Sequence, residues 1–128
     1  MLTSTLHSLG DLSLDRSDPD AALRRFGEAL AYAVATGNRR VQIYCIASIA
    51  CALALQGDAR GAANLWGTAE DQERRLGFRM LLTERQRYEQ LISGARDRLG
   101  EAYEAERRAR AGLTLEQAVA DARRHVPE

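Results

Sequence analysis

Apolar residues recur at helical spacing along most of the chain. In the stretch after Pro19, Ala22, Phe26, Ala29 and Ala33 share one face, widened by Leu23, Leu30 and Val34. Ala62, Leu65, Trp66, Ala69 and Leu76 repeat the arrangement further on. Each stretch predicts an amphipathic helix that buries one stripe and wets the other. Between them, Val41 to Leu55 carries apolar side chains in nearly every direction, among them Ile43, Tyr44, Ile46, Ala47, Ile49, Ala50 and Leu53. That segment predicts a central helix packed on several sides. Two later stripes, Tyr88, Leu91, Ile92, Ala95 and Leu99, then Leu115, Ala118, Val119 and Ala122, predict two more helices.

The punctuation fits these elements. Gly37, Gly57 and Gly77 stand twenty residues apart, and with Gly112 each follows a helical pattern where a left-handed cap needs glycine. Asp18 before Pro19 is a helix start. Thr83 with Gln86, and Thr114 with Gln117, have capping-box spacing. Gly100 interrupts a pattern that stays in phase through Tyr103, and a break is expected there. No apolar alternation of strand type persists. The expected class is all-α, with about seven helices.

A shift of forty residues lays Ala22 on Ala62, Phe26 on Trp66, Gly27 on Gly67 and Ala29 on Ala69. Small residues allow close helix approach and the ring fills the space above them, the pattern of stacked helix hairpins. The first copy resembles the tetratricopeptide repeat, with Leu9 and Gly10 at its Leu-Gly pair and Ala22, Phe26 and Ala29 at its later positions. The second keeps Ala62, Trp66 and Ala69 but has Ile49 and Ala50 in place of Leu-Gly. The likeness implies two hairpins over residues 1–79, closed by a C-terminal helical cap over 80–128 within one compact unit.

A second resemblance covers residues 57–122. The succession Gly57-Asp58, Ala62-Ala63, Leu65-Trp66-Gly67, Ala69-Glu70, Leu76-Gly77, Glu84-Arg85, Tyr88-Glu89, Leu99-Gly100-Glu101 and Leu113 to Val119 is similar to the C-terminal helical region of large bacterial regulators. Those proteins join an ATPase module, a tetratricopeptide-like array and often a LuxR-type helix-turn-helix. The resemblance implies the sensor or scaffold part of such a regulator. ATP hydrolysis does not carry over, because no nucleotide-binding motif is present.

Composition narrows the chemistry. The chain has 128 residues, 45% apolar and 28% charged, with eighteen basic residues against eighteen acidic ones. Zero formal charge gives no global attraction to nucleic acid or anionic membranes. Every basic residue is Arg, which excludes a P-loop lysine, a Schiff-base lysine and a lysine base. The longest nearly apolar run, Ile43 to Leu55, has thirteen residues, short of the ~20 that span a bilayer. The N-terminus lacks a signal-peptide pattern, so a cytoplasmic location is expected.

His7 and His125 have no ligand at zinc-site spacing, and no metal or other cofactor is expected. Cys45 and Cys51 lie about 9 Å apart along one helix, too far to bridge, and read as small buried side chains. A Cys51–His7 nucleophile pair fails because a thiol among Ile and Ala stays protonated. Glu70 with Arg74, Asp71 with Arg75, Glu104 with Arg108 and Glu106 with Arg110 have the spacing of exposed helix-supporting pairs, roughly 0.2–0.5 kcal/mol each. Arg107, Arg108 and Arg110 suggest nucleic acid, but Glu104 and Glu106 lie among them and direct contact is not expected.

What remains is a surface. In tetratricopeptide-like arrays the first helix of each hairpin lines a groove, and the motif positions point to His7 and Asp11, then Tyr44, Ala47, Ser48 and Cys51. That groove is either open or filled by the C-terminal helices. The expected function is a non-catalytic scaffold for protein–protein interaction, including self-association as a homodimer. The alternative is a sensor domain that binds a small-molecule effector.

Overall fold

The computed structural model describes residues 10–127, and every regular element in that range is helical. Residues 10–15 (α1) are followed by α2 (Pro19–Thr36), α3 (Arg39–Gln56), α4 (Ala59–Leu76) and α5 (Leu82–Leu99). A 3₁₀ turn (Gly100–Ala102) leads to α6 (Tyr103–Arg108), and α7 (Leu115–Arg123) ends the order.

Local chemistry sets the boundaries of the three long inner helices. Asp18, Asn38 and Asp58 each place a side-chain oxygen on the amide three residues on, at 3.2, 3.1 and 2.9 Å. These caps satisfy amides that a helix start leaves orphaned. At the other ends Gly37, Gly57 and Gly77 adopt φ of 68°, 91° and 72°, left-handed conformations that glycine enters without steric cost. With only one residue between Gly37 or Gly57 and the next helix, α2, α3 and α4 fold back on one another as sequential hairpins.

Helix α3 is the centre. Its faces meet α2, α4, α5 and α7, and Ile43, Ile46 and Ile49 are inaccessible to within 1%. Burying each such side chain contributes roughly 1.5–3 kcal/mol, so this element anchors the core. Its buried polar groups are satisfied: Gln42 donates to the Ala33 carbonyl at 3.2 Å, closing the end of α2.

Phe26 and Trp66 are both buried. A Cβ on Gly10 would come within 2.5 Å of the Phe26 ring, so helix α1 approaches α2 at van der Waals limit through that glycine. Gly27 and Gly67, the next aligned pair, each receive a piece of the C-terminal chain. A Cβ at Gly27 would lie 2.4 Å from Val126 Cγ1, and one at Gly67 would lie 1.8 Å from the Arg107 carbonyl oxygen. Gly27 on α2 thus receives the Val126 side chain, and Gly67 on α4 receives the Arg107 backbone.

Two expectations change. The Thr83–Gln86 capping box does not form; α5 begins at Leu82, with Leu81 at the cap position and no side-chain cap. Tertiary groups take over that task. Glu73 accepts the Met80 amide at 2.8 Å and the Tyr44 hydroxyl accepts the Leu81 amide at 2.9 Å, drawing 78–81 against α3 and α4. The Thr114–Gln117 box, with no such competitor, is complete.

The acid–arginine pairs are the second change. Asp71–Arg75 and Glu104–Arg108 form as spaced, at 3.2 and 3.7 Å. Glu70 turns instead to Arg107 of α6 at 3.0 Å and to Arg85 of α5 at 3.8 Å. Glu106 reaches Arg60 at 3.5 Å, while Arg110 forks onto Asp121 of α7 at 2.7 and 2.6 Å. Because α5, α6 and α7 lie against the polar flank of α4, these charges bind helix to helix and do not line a solvated face.

Candidate functional site

The residues expected to line a groove come together, but around a side chain of the protein itself. Ala47, Ser48 and Cys51 are fully buried on α3. Tyr88 of α5 stands over them, also fully buried. Its hydroxyl is 2.9 Å from Ser48 Oγ and 3.4 Å from a carboxylate oxygen of Asp11 on α1, and its carbonyl accepts from Cys51 Sγ at 3.7 Å. Ser48 also reaches the Tyr44 carbonyl at 2.8 Å. In this conformation Ala47, Ser48 and Cys51 are closed to a ligand, and Tyr88 of α5 occupies the polar groups of Ser48 and Cys51. His7 lies outside the described residues.

Arg87 secures the closure. Its guanidinium lies 3.4 Å from Asp11 and 3.0 Å from Asp15, and donates to the Asp11 carbonyl at 3.1 Å. Burial opposes its charge, but Asp11 and Asp15 more than offset that, so its pKa rises. Tyr88 is also raised, by burial first and then by the Asp11 charge, so it stays a neutral hydrogen-bonding phenol. Neither Tyr88 nor Arg87 figured among the expected groove residues. A Tyr within an apolar stripe shows that it is buried but not which helix face it fills.

Reactive chemistry is quenched here. Burial pushes the Cys45 thiol up to about 12, helped by the Asp11 charge, and burial raises Cys51 further. Both cysteines are free and buried. A protonated, enclosed thiol is a poor nucleophile. Among the described residues no group of three or more His, Cys, Asp or Glu is arranged to hold a metal ion.

A second cluster lies on the opposite flank of α4. Glu73 is 4% exposed, yet carries two donors: the Met80 amide and the Arg85 guanidinium. Arg85 also lies 5.9 Å above the Trp66 ring. Its buried position opposes the charge, but the bond to Glu73 and the fields of Glu73, Glu70 and Glu89 raise its pKa. Such a paired, packed ion pair joins α4 to α5 and leaves no free acid or base for proton transfer. Arg107 and Arg108 are paired to Glu104, and Arg110 to Asp121, so the basic run near the C-terminus presents partnered charge.

Accessible surface with unspent binding capacity is found at the end of the bundle that carries the α2–α3 and α4–α5 turns. Leu81 and Leu82 are each 68% exposed. Close by, the Tyr44 and Phe78 rings meet tilted at 39° with centroids 5.6 Å apart, and Arg40 lies 5.4 Å over Phe78. A cleft of about 470 Å³ opens beside this end, with Arg39, Gln42, Gln72, Arg75, Leu115 and Glu116 among its walls. No helix among the described residues is long and apolar enough to cross a membrane. No protein-family model matches the chain, and no curated protein or solved structure is significantly similar to it.

Proposed function

We propose that the protein is a non-catalytic helical-repeat scaffold that engages another protein through its outer surface, in the cytoplasm and as the sensor or scaffold part of a bacterial regulator of LuxR type. The observation that carries this reading is the aligned glycine pair. Gly27 and Gly67 stand forty residues apart on α2 and α4, and each accepts a segment of the C-terminal chain. Stacked hairpins bury their faces on neighbours and leave extended surfaces for partners. The tetratricopeptide-like solenoid is part of the proposal, with α5 to α7 as the cap that so short an array needs. Self-association is the same reading with a second copy as partner, and light scattering detects it.

A second reading has one observation in its favour. The cleft between the ends of α2, α3, α4 and α7, at about 470 Å³, falls within the size range of small-ligand sites. An effector held there would bridge hairpin and cap. The two readings separate in paired experiments on the full chain, affinity capture from host extract and thermal unfolding across a metabolite library. The scaffold reading expects a saturable protein partner and no stabilising metabolite. Absence of a partner, together with a metabolite that adds ~2.7 kcal/mol at 100 times its dissociation constant, overturns it.

A further inference from the structure

The basic, apolar end of the bundle has more exposed donors than it has acids to meet them. Arg39, Arg40, Arg74, Arg75 and Arg79 are all exposed there. Arg40 joins the α2–α3 turn to the α4–α5 turn by lying over Phe78, and Arg74 and Arg79 flank Phe78 in a cleft of about 550 Å³. Arg39 and Arg75 face the neighbouring cleft. Against these five, Asp71 serves both Arg74 and Arg75, at 3.1 and 3.2 Å, and Glu116 stands exposed at the edge. Glu70 and Glu73 line the second cleft but are already held by Arg107 and Arg85. Among the described residues no carboxylate pairs with Arg39, Arg40 or Arg79.

Next to these cations stand Leu81 and Leu82, two consecutive large apolar side chains left mostly in water. Their backbone is fixed: the Leu81 amide is held by Tyr44, and the Leu81 carbonyl receives the first helical bond of α5, from Arg85 at 3.0 Å. Adjacent apolar groups on rigid backbone, rimmed by charge, have the anatomy of a docking site. A phosphate backbone would answer the arginines but leave the leucines wet. A partner that carries carboxylates between apolar side chains answers both.

We propose that this end, centred on Leu81 and Leu82 and rimmed by Arg39, Arg40, Arg74, Arg75 and Arg79, docks a peptide segment in which acidic and apolar residues are interspersed. The proposal rests on the scaffold reading and specifies its surface and partner chemistry. Charge complementarity steers such a segment and sets its register, while the leucines supply the desolvated centre.

The test presents the full chain to a phage library of random sixteen-residue peptides. Selected peptides are then measured against wild type, the double variant Arg40→Glu with Arg79→Glu, and the charge-neutral double variant Leu81→Ser with Leu82→Ser. All four positions are exposed or rim positions, and circular dichroism melting verifies folding. Salt dependence of wild-type binding is an independent readout that needs no variant. The expected result is enrichment of acidic-plus-apolar peptides, affinity that falls with salt, and a loss of at least tenfold in both variants. Peptides without acidic enrichment, or whose binding survives both variants, overturn the docking surface while leaving the scaffold reading in place. Failure to select any peptide also overturns the docking surface, whereas the scaffold reading falls only if affinity capture and light scattering find no partner. Binding to phosphatidylserine vesicles or to duplex DNA that the same variants abolish, with no peptide selected, assigns the patch to a different partner and overturns the proposal.

Discussion

Tyr88 shows how a single side chain decides what a face of this protein can do. Its hydroxyl meets Ser48 and Asp11, and its backbone carbonyl accepts from Cys51. The two cysteines beneath are therefore internal reporters. With Cys45 held up to about 12 and Cys51 raised further by burial, neither should react with a thiol reagent at neutral pH in the native state. The expected outcome is two slow thiols that become fast only in denaturant; a fast native thiol would show that α5 leaves this face readily.

Asp121 makes a pH prediction. The forked bond from Arg110 holds its carboxyl below the usual carboxylate range, against a smaller opposing effect of burial. A carboxylate lowered in the folded state contributes stability that is complete above the unfolded value, near ~3.9, and is lost as pH falls below it toward the folded value. Urea unfolding of wild type and Asp121→Asn should differ at neutral pH and converge as pH falls below the ordinary carboxylate range. Parallel curves across that window would show that the pair contributes nothing to folding.

Among the elements, α4 carries the most varied contacts: core on one side, α6 on a glycine, and ion pairs to α5 and α6. Its aromatic residue, Trp66, is 3% exposed. Trp66→Ala should cost roughly 3–5 kcal/mol in chemical denaturation, and a loss under ~1 kcal/mol would mean that the ring is not part of the hairpin packing. The glycines give a contrasted pair. Gly67→Ala forces a methyl against the Arg107 carbonyl, which is backbone and cannot swing aside, so a loss of at least ~2 kcal/mol is expected. Gly94, within α5, has nothing within 4 Å of an added Cβ. Gly94→Ala should stabilise by ~0.4–1 kcal/mol through reduced freedom of the unfolded chain. Equal effects at the two positions would contradict the placement of α6 on α4.

The same elements show what could be read before the structure. Gly37, Gly57 and Gly77 revealed their caps because left-handed backbone has a local residue requirement, and Thr114 revealed its box for the same reason. Thr83 misled because Tyr44 and Glu73, distant in sequence, hold the Leu81 and Met80 amides, and the helix starts at Leu82 before Thr83 can cap it. Spacing located the charged pairs on their helices but could not say that Glu70 prefers Arg107 and Arg85, since that choice depends on which helix lies alongside. At the candidate site, Asp11, Ser48 and Cys51, which motif position placed on one groove, each lie within hydrogen-bond reach of Tyr88. The side chain that covers them was hidden, because burial of Tyr88 follows from its stripe but its destination does not.

Among the described residues, Ser48 and Cys51 on α3 meet Tyr88, the two cysteines are buried and protonated, and five exposed arginines gather at one end of the bundle. The charge pairs around the cap are individually modest, since most have an exposed member and surface pairs contribute about 0.2–1 kcal/mol. The apolar contacts of α3 dominate the stability, so opening the inner face should require disruption of the core. Native-state amide hydrogen exchange on the full chain tests this most directly. The account predicts that amides from Ile46 to Ala52 exchange only with the free energy of global unfolding measured by denaturant, and that α5 around Tyr88 does the same. Exchange in α3 several kcal/mol below that value, through a local opening in which α5 departs, would contradict the closed face and return Ala47, Ser48 and Cys51 to a binding role.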